Sequence, residues 1–204
     1  MKNKLKILFR IAFLFMVFFY ACNSNNQNET PKESVNMVEQ PQFDYLSEGK
    51  KIAGEAQSVL GKNLMNAISS KGTKYAVEFC NIEAIPITDS MAKVLGASVK
   101  RVTDKPRNPN NLGNETELSY INRMKADIQN GETAKPLMAE INGKMIGYYP
   151  IVTNAMCLKC HGDKDVTIEP ETYKKIKMLY PSDKATGYAA NELRGMWVVE
   201  MKKK

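Results

Sequence analysis

The chain concentrates its most reactive side chains in one short segment, and this segment limits what the fold must accommodate. The 204 residues include four cysteines and a single histidine. Three of these five residues lie within the run Cys157-Leu158-Lys159-Cys160-His161. Because both residue types are scarce elsewhere, the clustering is informative about the chemistry of the domain.

A Cys-x-x-Cys-His run is the attachment signature of c-type haem. In such a site two thiols add across the haem vinyl groups, and the adjacent imidazole is held under the iron. Two intervening residues let both sulfurs reach neighbouring pyrrole edges while the histidine turns to the ring centre. The sequence therefore predicts one covalent haem c on Cys157 and Cys160, with His161 as an axial ligand.

Three other interpretations of this run remain open. The two cysteines could form a redox disulfide, although no βαβ pattern typical of thioredoxin-like sites precedes them. Cys80, Cys157, Cys160 and His161 could together bind zinc, although the adjacent Cys160 and His161 are awkward ligands for one small ion. The run could also be accidental, which is the weakest alternative because cysteine is rare in this chain.

The scarcity of histidine limits the second axial ligand. With His161 as the only histidine, two histidine ligands from one chain are impossible. The sixth position then belongs to Cys80, a methionine, another weak donor or water, or stays open. Cys80 lies on an apolar helix face, where an unpaired buried cysteine is common, and most methionines simply fill the core. The methionines near the motif or in the predicted sheet are Met138, Met145, Met156 and Met196.

The N-terminus has the pattern of an export signal. Residues 11–21 are apolar without interruption, which is short for a spanning helix of ~20 residues. They follow the basic residues Lys2, Lys4, Lys6 and Arg10. We interpret residues 1–21 as a lipoprotein signal peptide and Cys22 as the lipidated first residue of the mature chain. An uncleaved hydrophobic helix is the alternative.

The predicted processing places the protein in the bacterial cell envelope. The lipid on Cys22 would anchor it to the inner or outer membrane, facing the periplasm. Residues 22–42 are polar and are predicted to form a disordered tether, and residues 43–204 form one domain. Without the four basic signal residues the chain carries 25 basic against 22 acidic residues. No basic stripe interleaved with aromatics indicates nucleic-acid binding.

Residue periodicity predicts an α+β domain that begins with a long helix. The turn residues Asn142-Gly143 indicate a β-hairpin. Helices are predicted over 44–70, 74–84, 88–95, 115–129 and 169–179, and strands over 98–103, 136–141, 144–152 and 195–201.

Several stretches together resemble a family of PAS-like c-type haem domains, over roughly residues 50–204. The resemblance implies a PAS-like antiparallel sheet flanked by helices. It also implies a haem iron bound by His161 and, on the other side, by Cys80. The stretches that carry it are the Cys80 helix with Ala84 and Pro86, the segment from Arg101 through Arg107-Asn108-Pro109 to Glu117, the motif Cys157–Gly162, the run Tyr180–Tyr188, and Leu193-Arg194-Gly195.

A haem held between imidazole and thiolate should have a low reduction potential. Arg101, Arg107 and Arg194 are candidate contacts of the haem propionates, since arginine forks suit carboxylates; structural ion pairs are the alternative. We expect extracytoplasmic electron transfer with a redox partner protein. The alternative is a redox or gas sensor that signals through a separate partner. Enzymatic activity is not expected, and the lack of a second histidine argues against a haem peroxidase, which needs a distal acid or base.

Overall fold

The structure, a computed structural model, describes residues 43–204. The predicted signal peptide, the predicted lipidation residue Cys22 and the tether up to residue 42 lie outside the described residues. Across residues 43–204, no helix combines the length and the apolar character that crossing a membrane requires.

The first element is the long helix α1 (Tyr45–Leu95). It starts where the side chain of Asp44 accepts a hydrogen bond from the Ser47 N–H at 3.0 Å, which is a helix N-cap. It is interrupted at Gly72, whose φ of 77° and ψ of 178° are not helical. Glycine adopts this conformation at no steric cost. The break matches the predicted end of the first helix.

The region after Gly72 differs from the sequence prediction. We predicted separate helices over 74–84 and 88–95, but α1 continues through Pro86. A proline inside a helix removes one N–H and releases the carbonyl four residues earlier, here that of Ile82. Ile82 is 66% exposed, so this turn of the helix lies at the protein surface.

The sheet consists of four strands, β1 (Ser98–Val102), β2 (Leu137–Ile141), β3 (Lys144–Val152) and β4 (Leu193–Lys202). They pair antiparallel in the order β1-β4-β3-β2. The hairpin between β2 and β3 turns at Asn142 and Gly143, whose φ angles of 52° and 72° fit the predicted tight turn. This confirms the predicted α+β, PAS-like architecture.

Each face of the sheet is covered by a helix. Strand β4 lies inside the sheet, and its residues alternate between the two faces. Trp197 and Val199 pack on the face covered by α1. Met196 and Val198 pack on the other face, together with residues of α2 (Glu115–Gln129). The strand is therefore apolar on both sides, as its sequence suggests.

Two short helices follow the hairpin. They are α3 (Ala155–His161), which was not predicted, and α4 (Pro170–Leu179), which was. A third apolar cluster joins α4 to the second part of α1. It consists of Val77, Ile168, Ile176 and Tyr180, with Cys160 of α3 packed against it. This cluster holds α3 and the Cys80 region of α1 together.

The first part of α1 approaches the sheet so closely that Gly49 cannot carry a side chain. A Cβ at this position would lie 2.1 Å from the Tyr149 hydroxyl and 3.0 Å from the Met201 Cε. We expect Gly49→Ala to lower the free energy of unfolding by about 1–3 kcal/mol through overpacking. Chemical denaturation measures this change.

Gly54 on the same helix provides the matched control, because a Cβ there meets nothing within 4 Å. Gly54→Ala should raise stability by roughly 0.5–1 kcal/mol, since alanine has the higher helix propensity. Equal effects of the two substitutions would contradict the packing of α1 described here.

Candidate functional site

The predicted attachment motif lies on helix α3, and its N-cap orients it. The Asn154 side-chain oxygen accepts hydrogen bonds from the Met156 and Cys157 N–H groups at 3.0 and 3.2 Å. It also lies 3.3 Å from the Cys157 thiol. Residues three apart on a helix share one face, so Cys157 and Cys160 lie one turn apart on the same side. His161 follows at the last position of the helix.

The thiols of Cys80, Cys157 and Cys160 are unpaired. Cys160 packs against the third apolar cluster, and this burial raises the pKa of its thiol to about 11. At neutral pH the sulfur is therefore a protonated thiol. The predicted cofactor attachment needs two such unpaired cysteines, and a Cys157–Cys160 disulfide is not formed in this structure.

The His161 ring is held by one hydrogen bond to the backbone. Its Nδ1 lies 2.8 Å from the Ala185 carbonyl oxygen, so Nδ1 carries the proton and donates it to this acceptor. Burial lowers the pKa of His161 well below its usual value, and the positive charges of Arg107, Arg194 and Arg101 lower it further. The ring is thus neutral, and the lone pair on Nε2 is left for a metal.

Residues 180–188, the polar run that precedes β4, contact the end of α3. The Gly187 N–H donates to the Gly162 carbonyl at 2.8 Å, and the Tyr188 N–H donates to the His161 carbonyl at 2.9 Å. These bonds satisfy carbonyls that a helix end leaves unpaired. The run therefore has the structural task of positioning the motif, which explains its unusual composition.

A glycine is required directly after His161. A Cβ on Gly162 would lie 2.1 Å from the Thr167 hydroxyl and 2.7 Å from the Leu158 carbonyl oxygen. Both distances are shorter than any van der Waals contact, and the second atom belongs to the backbone. The chain can turn away from α3 only because residue 162 lacks a side chain.

Arg107 is committed to protein acceptors. Its Nε donates to Asp183 Oδ1 at 3.1 Å, and its Nη2 donates to the Cys160 carbonyl at 2.6 Å. The two charged side chains are 13% and 2% exposed. This arrangement corresponds to the ion-pair alternative for Arg107, and its contact with a haem propionate stays a prediction.

Arg194 and Tyr188 keep unused hydrogen-bonding atoms inside the protein. Arg194 Nη1 donates to Thr103 Oγ1 at 3.0 Å and to the Lys105 carbonyl at 3.2 Å. Its Nε, however, is buried without a partner, and so is the Tyr188 hydroxyl. The guanidinium lies 5.4 Å from the centre of the Tyr188 ring. Buried donors are normally satisfied, so this pair stands out among the described residues.

Cys80 packs against the cluster between α1 and the sheet, and Arg101 lies close enough for each residue to shift the pKa of the other. Burial raises the pKa of the Cys80 thiol, and the positive charges of Arg101 and Arg107 oppose this shift. Burial likewise lowers the pKa of Arg101, and Cys80 opposes that change. The guanidinium also lies 5.5 Å from the centre of the Trp197 ring. A thiolate at Cys80 would therefore have a nearby positive charge.

The structure brings the motif and the Cys80 part of α1 to one region. Cys160 packs against the cluster that includes Val77, three residues before Cys80 on α1. Among residues 43–204, no three His, Cys, Asp or Glu side chains are arranged to bind a metal ion directly. The alternative of a zinc site built from Cys80, Cys157, Cys160 and His161 therefore has no ligand cluster.

Most of the candidate methionine ligands belong to the core. Met196 is fully buried on the α2 face of the sheet. Met138 and Met145 pack against the cluster under α1. Only Met156 lies on α3 itself, where it is half-buried. Cys80 packs against the same cluster as Met138 and Met145, so core packing excludes Met196 and leaves Cys80, Met138, Met145 and Met156 as sulfur donors.

Sequence reasoning missed three contributors to this site. Asn154 was readable in principle, because asparagine before a helix is a common N-cap. Asp183 was seen only as part of a polar run, and its pairing with Arg107 is a tertiary contact across 76 positions. Ala185 acts through its carbonyl, so its side chain gave no signal.

Comparison with known proteins supports the fold and the family. The chain superimposes on the crystal structure of the cyanobacterial heme-protein Tll0287 with a TM-score of 0.55 and 22% sequence identity. The match covers 79% of this chain and 98% of that chain, and at this identity it shows a shared fold. No curated protein matches the sequence.

The family model extends beyond the described domain at its N-terminal side. It matches residues 23–201, which include α1, the whole sheet and the motif on α3. On this match, the chain belongs to the Tll0287-like family.

Proposed function

We propose that the domain carries one haem c, attached through Cys157 and Cys160 and bound at the iron by His161. The observation that carries this proposal is the short helix α3, which presents two unpaired thiols and a neutral imidazole whose Nδ1 is already bonded to Ala185. A similar fold belongs to a protein described as a heme-protein.

The residues around the motif fit such a group. The two thiols supply the attachment points, and Nε2 of His161 supplies a nitrogen ligand. The unpartnered Arg194 Nε and Tyr188 hydroxyl can donate to a carboxylate. Bound haem would supply one-electron redox chemistry, while the protein orients the ligands and shields them from water.

Covalent attachment is tested by co-expression with a cytochrome c maturation system. The wild-type chain should keep its haem absorbance on a denaturing gel, because two thioether bonds survive denaturation. The Cys157→Ala/Cys160→Ala variant should lose it. Cys80→Ala is the matched control, since it removes a thiol outside the motif and should stay coloured. A colourless wild type containing zinc would overturn the proposal.

Cys80 is the proposed second axial ligand. It lies on the part of α1 that meets α3, where Cys160 packs against the cluster that includes Val77. Burial raises the pKa of the Cys80 thiol, while Arg101 and Arg107 oppose this shift and so help the thiolate form that binds iron. Met196 is enclosed in the core on the other face of the sheet. Thiolate donation stabilises ferric iron, so the reduction potential should be low.

The ligand is identified from the absorption spectrum of the ferric protein. Cys80→Ala should convert a six-coordinate low-spin spectrum into a high-spin one, because the strong sulfur donor is lost. Met156→Leu is the control and should leave the spectrum unchanged, since leucine fills a similar volume. A spectral change in the Met156 variant alone would assign the ligand to Met156 instead.

In the cell, the proposed function is electron transfer. Such a domain, tethered to the bacterial envelope through a lipid on Cys22, would exchange single electrons with a redox partner protein on the periplasmic side. The proposal does not include enzymatic turnover, because His161 is the only histidine and is used as a ligand. A distal acid or base is therefore lacking among the histidines.

A sensor role is the second candidate, and the burial of Cys80 favours it. Burial raises the pKa of this thiol, so a sulfur released from the iron is favoured in its protonated form. Protonation would keep the axial position open for a small gas. The PAS-like fold is compatible with this role but does not require it.

Titration of the reduced protein with carbon monoxide or nitric oxide separates the two functions. Rapid stoichiometric binding with a shifted Soret band is expected of a sensor. A carrier should bind the gas poorly and exchange electrons quickly and reversibly with a small redox mediator. Cys80→Ala serves as the reference for an open site and should bind carbon monoxide in either case.

A further inference from the structure

A buried ion pair contacts Ala185, the residue whose carbonyl accepts the hydrogen bond from His161. It joins Arg107, which follows β1, to Asp183 in the polar run before β4. Resting on the proposed haem function, we infer that this pair sets how strongly His161 donates to the iron, and thereby the reduction potential. Both residues act as positioning residues, because their charged groups bond to the segments around the ligand.

The Ala185 carbonyl accepts from two donors. The Ala185 oxygen lies 2.8 Å from His161 Nδ1 and 3.4 Å from Arg107 Nη2. A second donor, and a positive one, draws electron density from this carbonyl and weakens it as an acceptor for the histidine. A weaker bond at Nδ1 leaves the imidazole a poorer donor at Nε2, since the partner of one ring nitrogen tunes the other.

The ion pair also holds in place the backbone on both sides of the hydrogen bond between His161 and Ala185. Asp183 Oδ1 accepts from the Arg107 Nε at 3.1 Å and from the Ala185 N–H at 3.0 Å. Arg107 Nη2 also donates to the carbonyl of Cys160 at 2.6 Å, in the peptide that leads into His161. The histidine and its acceptor are therefore held by the same two side chains.

The charges of Arg107 and Asp183 act on the site as well. Asp183 is 2% exposed and Arg107 is 13% exposed, so solvent and salt screen their charges weakly. A guanidinium near the iron favours the reduced, less positive state, and a carboxylate favours the oxidised state. Without Arg107, an uncompensated carboxylate remains behind His161. Without the Asp183 charge, an uncompensated guanidinium remains.

In each variant, the change in His161 donor strength and the change in charge shift the reduction potential in the same direction. Removing Arg107 strengthens the hydrogen bond from His161 to Ala185 and leaves a negative charge, which stabilises ferric iron and lowers the potential. Neutralising Asp183 releases Arg107 towards the two carbonyls and leaves a positive charge, which raises the potential. A pair with a purely structural role would not move the potential in opposite directions.

The test uses the haem-loaded protein and spectroelectrochemical titration. Arg107→Gln should lower the reduction potential relative to wild type, and Asp183→Asn should raise it. Arg107→Lys keeps the positive charge but loses the planar guanidinium that bonds to Asp183 and to the two carbonyls. Its potential should therefore fall by less than that of Arg107→Gln. Lys125→Gln breaks a different partly buried ion pair, with Asp104, and should leave the potential unchanged.

A lowered potential in Arg107→Gln together with a raised potential in Asp183→Asn supports the inference. Any other pair of results, including potentials equal to that of wild type, overturns it. If Arg107→Gln does not fold, the isosteric Asp183→Asn decides alone: a raised potential supports the inference, and an unchanged or lowered one overturns it. A wild-type chain without covalent haem would overturn the proposed function itself, and this result is distinguishable because it is read from the wild type.

Discussion

The hydrogen bond between His161 and the Ala185 carbonyl depends on how the sheet ends. Strand β3 leads into α3, and the polar run leads into β4, so the two partners extend from neighbouring strand ends, where Val152 pairs with Leu193. Thr153, between β3 and α3, is 2% exposed and connects the two segments. Its hydroxyl donates to the Ala189 carbonyl at 2.7 Å, and its N–H donates to the Glu192 carbonyl at 2.9 Å. The register of β3 and β4 therefore sets the position of the histidine.

The sequence predicted the elements with strong periodicity and failed where tertiary contacts decide. The hairpin at Asn142-Gly143 follows from local turn chemistry, and the break at Gly72 follows from the freedom of glycine. The predicted break between residues 84 and 88 was wrong, because α1 continues through Pro86 at a turn whose exposure to solvent propensity does not show. Helix α3 was missed because seven residues carry too little pattern. At the site, the motif was readable as chemistry, whereas the contacts of Asp183 and Ala185 emerge only from folding.

Three arginines around a single imidazole explain why a positive environment suits this site. Burial lowers the pKa of His161, and Arg107, Arg194 and Arg101 lower it further, so the ring stays neutral at lower pH than a free histidine and keeps its Nε2 lone pair. At Cys80, burial raises the pKa of the thiol, and Arg101 and Arg107 oppose this shift. The cations thus add to the effect of burial at the imidazole and partly offset it at the thiol. A neutral imidazole is the form in which histidine binds a metal.

The packing of the domain also separates what holds the fold from what holds the proposed cofactor. The two clusters on the faces of the sheet are formed without Cys157, Cys160 or His161. Only the third cluster, between α1 and α4, includes a motif residue at its edge, Cys160. Attachment at the two thiols would therefore act first on the contact between α1 and α3. Cys80, in contrast, packs against the cluster under α1, so the proposed second ligand connects the cofactor site to the core of the sheet.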